Sequence, residues 1–399
     1  MVNEKMLALG KKRSVIRELF EFGKRRAAEI GAENVFDFSL GNPSVPAPPI
    51  VNETVIRLLN TEDSVKIHGY TSAPGDLSVR KKIAEYLTLK FGIKFPPELI
   101  YMTSGAAASL AITLNALAEE GDEVVAFAPY FPEYKVFAEA AGMKFVVSEP
   151  DKDLQIDPDD LKKRVGKNTK AVIINSPNNP SGVVYPEKKI TEAAEVLKEA
   201  EKKLGRPIYL VTDEPYRELV YGGLEVPFVP EYYKDSIVCY SFSKSLSVPG
   251  ERIGYVAVSP EACGAGDVYA SIAGAGRALG YVCAPALFQR VAAASLGHTS
   301  DISVYEKNRD LLVSGLTALG YECVKPDGAF YLFIKSPIPD ANEFSELAKK
   351  FELLLVPGDD FGAPGYLRIA YCVDTKVIEK AMPAFRKLKV ESEKWKVMD

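Results

Sequence analysis

The chain has 399 residues, 47% of them hydrophobic, with 49 Lys and Arg against 54 Asp and Glu for a formal net charge of −5. That length exceeds what one compact core usually holds, so two domains are expected, and charges of both signs spread along the chain leave no basic block for a nucleic acid partner. Only two histidines, His68 and His298, and five dispersed cysteines with no CxxC pair argue against a multi-histidine metal site, a histidine charge relay, a disulfide framework or structural zinc.

In chain order, Met1 to Arg26 mixes Lys, Arg and Glu among apolar residues and lacks the unbroken apolar stretch of a signal peptide. No later segment has the length and apolarity to span a bilayer, so a cytoplasmic protein with no membrane partner is expected. The run Pro43 to Pro49 reads as an extended connector. Short apolar runs then alternate with helix-patterned stretches: Leu99–Thr103, Glu123–Phe127, Lys170–Asn175, Ile208–Thr212, Ser236–Ser241 and Arg252–Val258. This alternation predicts βαβ units and a mainly parallel sheet. After about Ser295 the pattern becomes a helix, strands around Tyr321–Ile334 and Leu367–Tyr371, and a closing helix Thr375–Lys389. The expected division is a large domain over 46–290 and a smaller α+β domain from 1–45, with its N-terminal arm, and 291–399.

Ligands of open α/β sheets sit beyond the carboxyl ends of the strands. Those ends read Ser104-Gly105-Ala106-Ala107, Pro129-Tyr130, Asn178-Asn179-Pro180-Ser181-Gly182, Asp213-Glu214-Pro215-Tyr216 and Ser241-Phe242-Ser243-Lys244. The sharpest pattern continues from Lys244 through Ser245-Leu246-Ser247-Val248-Pro249-Gly250-Glu251 to Arg252. A lysine amine can condense with an aldehyde, and hydroxyls with an arginine can hold a phosphate. Taken singly, each stretch has a plainer explanation. Lys244 could sit in a solvated turn, Asp213 could cap a helix, Asn179 could make a turn, Tyr130 could pack in the core, and Ser104 could open a helix that binds nothing.

The Lys244 segment resembles the pyridoxal phosphate (PLP) attachment signature of class I/II aminotransferases. The other strand ends follow in the chain order of the aspartate aminotransferase family (fold type I), so the resemblance covers nearly the whole chain. It implies an α/β fold of three layers, a mainly parallel central sheet with a smaller α+β domain, and pyridoxal 5'-phosphate as the cofactor attached to Lys244. On that resemblance Lys244, Asp213 and Tyr216 are catalytic. Asp213 meets the pyridine nitrogen, Asn179 and Tyr216 bond the phenolic oxygen, and Tyr130 covers the ring. Ser104, Gly105, Ala106, Ala107, Ser241, Ser243 and Arg252 surround the phosphate. Tyr70, in Gly69-Tyr70-Thr71, would reach the phosphate held by a neighbouring subunit, which implies a homodimer with shared active sites. Arg368, in Leu367-Arg368-Ile369, would clamp the substrate α-carboxylate beside Gly41 and Asn179. The chain departs from many relatives in carrying Asn42 before Pro43 where they have an acidic residue.

Gly274-Ala275-Gly276-Arg277-Ala278-Leu279-Gly280 superficially matches a dinucleotide fingerprint, but its last glycine comes one residue late and no clear strand precedes it, so it reads as helix or loop. Arg277 lies near the place where dicarboxylate-specific members of the family carry an arginine, and a surface arginine is an equal alternative. The resemblance therefore implies PLP-dependent transfer of an amino group from an L-amino acid, aspartate being one candidate, to a 2-oxo acid in ping-pong steps. A carbon–sulfur β-lyase on the same scaffold is the alternative. A sensor fused to a DNA-binding domain is disfavoured, because the N-terminal extension is too short to form one.

Overall fold

The computed structural model describes residues 2–11 and 14–395. Its strands, in chain order, are β1 (Phe36–Asp37), β2 (Ile100–Thr103), β3 (Glu123–Phe127), β4 (Lys144–Ser148), β5 (Thr169–Asn175), β6 (Tyr209–Glu214), β7 (Ser236–Ser241), β8 (Gly254–Val258), β9 (Cys323–Val324), β10 (Tyr331–Lys335), β11 (Leu353–Leu354), β12 (Val356–Pro357) and β13 (Tyr366–Ala370). Strands β2 to β8 form one sheet in the order β2-β8-β7-β6-β5-β3-β4. Every neighbouring pair is parallel except those of β8, which runs against both β2 and β7. The sheet is therefore mainly parallel, with one reversed strand.

Burial on both faces explains why these strands read as unbroken apolar runs. One face puts Val124, Ala126, Ile173, Val211, Ile237 and Val256 into a core shared with the helices Ala106–Leu117, Glu133–Ala140 and Ala265–Ala278. On the other, Ile100, Met102, Val238 and Ala257 pack against Leu77–Phe91 and Ala286–Ala294, while Val125, Val172, Ile174 and Leu210 pack against Glu187–Leu204. Strand alternation thus makes three layers, helix on sheet on helix.

A second sheet, β12-β13-β10-β9, is antiparallel. Its residues Leu332, Ile334, Leu367 and Ile369 share a core with Leu312, Phe344 and Phe385 from the helices Ile302–Ala318, Ala341–Lys349 and Thr375–Trp395. The early chain joins this region. Strand β1 pairs in parallel with β11, and the Ala370 N–H donates to the Phe38 carbonyl at 2.9 Å.

The structure adjusts several expected elements. Strand β4 was not anticipated, because an edge strand that starts on exposed Lys144 carries a weak apolar signal. Strand β8 starts at Gly254 rather than Arg252, since Arg252 takes a left-handed backbone (φ 52°) that ends strand geometry. The expected run Tyr321–Ile334 divides into β9 and β10, and the closing helix continues to Trp395. The connector before Pro49 has no regular structure, and Pro49 opens the helix Pro49–Thr61 at a position where its missing N–H is not needed. Among the described residues, no helix is long and apolar enough to cross a membrane.

Candidate active site

The ends of β5, β6 and β7 open onto a cavity of about 540 Å³. Lys244 stands on the single helical turn Phe242–Ser245 after β7, whose start is fixed by Ser241 Oγ accepting from the Ser243 N–H. Its Nζ donates to the Gly41 carbonyl at 2.7 Å. Burial is the main reason its pKa falls from 10.5 to about 8, with Arg252 and Arg368 adding to the fall and Cys372 opposing it. The amine is thus partly neutral near neutral pH, the form a nucleophile or base requires. A Cβ at Gly41 would collide with the Tyr331 side chain, so glycine suits this position.

Asp213, near the end of β6, is fully enclosed. Its Oδ2 accepts from Tyr134 Oη at 2.5 Å, while its Oδ1 is buried with no hydrogen-bond partner among the described residues. Burial raises its pKa to about 7, with Glu214 adding to the rise and the Tyr134 bond opposing it. A buried carboxylate oxygen left without a donor favours a protonated or cationic group placed against it. Tyr216, one turn further on, shares a hydrogen bond with Tyr331 Oη at 2.9 Å, and burial pushes its phenol far above the usual value.

Arg368, on β13, is 2% exposed, and among the described residues no carboxylate pairs with it. Its Nη1 donates to Asn179 Oδ1 at 3.1 Å and its Nη2 to the Ser39 carbonyl at 2.6 Å, while Nε is buried and unbonded. The guanidinium lies over the Tyr331 and Phe361 rings at 4.6 and 5.0 Å, and burial pulls its pKa below the usual value. A cation enclosed this way is stabilised by an incoming anion. Asn179 is positioned in turn by its backbone N–H, which donates to Asn175 Oδ1 at 2.7 Å.

At the other end, Gly105 (φ 88°) turns the chain from β2 into the helix Ala106–Leu117, whose first turn has no side-chain cap. A Cβ at Gly105 would sit 2.9 Å from Arg252 Nη2. Open helix N–H groups, Arg252 and the Ser241 and Ser243 hydroxyls form a cradle suited to a phosphate. Ala106, Ala107, Ser241, Ser243 and Arg252 line the cavity, and Ser104 with Gly105 makes the turn behind them.

Three expected residues lie elsewhere. Tyr130 does not line the cavity; its ring packs edge-on to Phe145 and beside Gly362, while its neighbour Phe131 is on the cavity wall. The backbone explains this correction, because the Tyr130 N–H is tied to the Phe361 carbonyl and so turns that side chain away. Tyr70, 97% exposed, and Arg277, also exposed, are both outside this chain's cavity. Sequence reasoning missed Tyr134 and Ser39, which hydrogen-bond Asp213 and Arg368, and Tyr331, Phe131 and Asn175, which line the cavity with Ser14, Ile16, Arg17 and Phe20 from the start of the helix Val15–Ile30. The spacing of Tyr134, one helical turn past Phe131, was the one available signal. The described residues contain no His, Cys, Asp and Glu cluster able to hold a metal ion. A larger cavity of about 880 Å³ around Arg217 and Glu231 lacks Lys244, Asp213 and Arg368 alike.

This fold and site define a class: residues 33–385 match the family described as aminotransferase class I and II, and the chain belongs to that family. An amino transferase structure from Eubacterium rectale is 54% identical to it, with a TM-score of 0.96 over 98% of this chain and 99% of that one. A probable aspartate/prephenate aminotransferase of Aquifex aeolicus is 32% identical, covering 91% of this chain and 93% of that protein. The structure of Thermus thermophilus aspartate aminotransferase with maleate is 26% identical, with a TM-score of 0.86 over 97% of this chain and 99% of its own. The protein is an aminotransferase.

Proposed function

We propose that the protein works with PLP in this cavity and moves an amino group from an L-amino acid, aspartate among the candidates, to a 2-oxo acid. The observation that carries this reading is the buried, unpartnered Asp213 Oδ1, in the same cavity as a depressed lysine and an unpaired buried arginine. When bound, PLP supplies an aldehyde carbon for the amino group and a ring that spreads the charge left on the substrate α carbon. The residues present fit it: Lys244 for the aldehyde, Asp213 for the pyridine nitrogen, Asn179 and Tyr216 for the phenolic oxygen, Phe131 for the ring face, and the Gly105 turn with Ser241, Ser243 and Arg252 for the phosphate.

Arg368 and Asn179 hold the substrate α-carboxylate, which orients the α C–H toward Lys244. With the cofactor bound, the Lys244 amine would be the base for the substrate α proton and would hold that proton for return. Asp213 would meet the pyridine nitrogen as a carboxylate, and Tyr134 holds that carboxylate in place.

The exposed Tyr70 and the apolar Leu279, Tyr281 and Val282 support a homodimer in which Tyr70 reaches the partner's phosphate. The separation of the seven-stranded sheet from the four-stranded one and the β1-β11 pair supports the division at 46–290 against 1–45 with 291–399, and the absence of a spanning helix among the described residues fits a cytoplasmic setting.

The test mixes PLP-loaded protein with single amino acids and no acceptor. One equivalent of 2-oxo acid per site is expected, with parallel initial-rate lines once an acceptor is supplied. Lys244→Ala should give no turnover and no cofactor fixed to the chain by borohydride. Multiple-turnover release of ammonia and pyruvate from cysteine, or normal rates in Lys244→Ala, would overturn the proposal.

A further inference from the structure

Four cations line the cavity: Arg17, Lys244, Arg252 and Arg368. The last three are engaged by the proposed chemistry, as the amine, the phosphate ligand and the α-carboxylate ligand. Arg17 has no such duty. It sits in the first turn of the helix Val15–Ile30, where its backbone N–H is satisfied by Ser14 Oγ. Its side chain is exposed, and no ion pair of the described residues engages it.

Exposure orders the cavity wall. Arg368, Asp213 and Asn179 are buried at the inner end, whereas Ser14, Arg17 and Leu40 are exposed at the solvent end. An amino acid fixed at its α-carboxylate by Arg368 and at its nitrogen by the Lys244 position leaves only its side chain to extend along the remaining wall. That wall is apolar at Ile16, Phe20, Leu40 and Phe131, so Arg17 is the unengaged cation this chain offers to that side chain. Glu133 is the only carboxylate besides Asp213 on the cavity wall among the described residues, so cations outnumber carboxylates there.

We infer that Arg17 is a specificity-determining residue that binds the distal carboxylate of a dicarboxylic amino acid. This rests on the proposed aminotransfer reaction and assigns the side-chain contact within this chain, independently of Arg277. A planar guanidinium suits a carboxylate through paired hydrogen bonds, and partial desolvation under the substrate strengthens the pair.

The test compares wild type, Arg17→Gln, Arg17→Lys and Arg277→Gln, all loaded with PLP. Calorimetry reads the binding of maleate, a non-reacting dicarboxylate, and the half-reaction reads KM for aspartate and alanine. Arg17→Gln should weaken maleate and raise the aspartate KM about tenfold or more, while the alanine KM stays within about twofold, as expected for loss of one charge-assisted contact. Arg17→Lys should fall between, and Arg277→Gln should leave both substrates unchanged. Equal shifts for aspartate and alanine, or loss of the aspartate preference only in Arg277→Gln, would overturn the inference. So would a wild type that binds no maleate yet converts alanine. If the wild type converts no amino acid at all, the reaction itself fails rather than the assignment of Arg17.

Discussion

In the cofactor-free protein, replacing Asp213 by Asn removes a buried charge that no cation among the described residues meets. The carboxyl is 4% exposed, and burial with the neighbouring Glu214 lifts its pKa from 3.8 to about 7 against the Tyr134 bond. At ~1.4 kcal/mol per tenfold change, that displacement costs the folded chain about 4 kcal/mol above neutral pH. The sign follows from proton counting. Between 3.8 and about 7 the folded state keeps a proton that the unfolded chain releases, so the Asp213 contribution to stability falls as pH rises through that window. Below both values the carboxyl is neutral in either state and costs nothing. Asp213→Asn keeps the shape and still accepts from Tyr134. It should therefore raise the stability of cofactor-free protein near pH 8 toward that bound and leave it nearly unchanged near pH 4. Urea titrations at matched protein concentration measure both. Adding PLP should reverse the order, because the pyridine nitrogen then supplies the missing partner and the variant takes up cofactor more weakly. A variant less stable than wild type near pH 8, or equally stabilised at both pH values, would refute the claim that Asp213 is an uncompensated buried charge.

Arg368→Lys should raise KM for every amino acid by roughly a hundredfold, since an ammonium cannot reproduce the fork that meets Asn179, Ser39 and a carboxylate together; borohydride fixation of PLP should be unaffected, and a KM change confined to one substrate would contradict the assignment. The rate constant for PLP uptake should rise about tenfold per pH unit up to about 8 and then level, because only the neutral Lys244 amine attacks the aldehyde. Stopped-flow absorbance follows this, and a plateau that begins only above pH 10 would show that the amine is not depressed.

Residues whose chemistry depends on their own strand were legible in the sequence. Glu123–Phe127 and Ser236–Ser241 match their observed strands because both are interior and apolar on both faces. Asp213, Lys244 and Asn179 line one cavity because each follows or closes a strand, and a strand end fixes where a short loop points. The direction of β8 was not legible, since burial composes a reversed strand no differently from a parallel one. Choosing Phe131 over Tyr130 depends on a hydrogen bond from the Tyr130 N–H to the Phe361 carbonyl, distant in sequence. Tyr331 and Ser39 enter the site through pairings of β13 with β10 and of the early chain with β13, contacts that no local pattern encodes. Arg17 was passed over for the same reason: its helix reads as an ordinary amphipathic stretch, and only its placement across the cavity gives it a role.

The Arg368 bond to the Ser39 carbonyl joins residues 329 apart, whereas Lys244 meets Gly41 across 203. During synthesis the seven strands of the larger sheet have all left the ribosome well before Arg368 is made, a lag of ~5–20 s at ordinary elongation rates. The phosphate cradle, Asp213 and Lys244 can therefore assemble on a nascent chain that still has no means of gripping an amino acid.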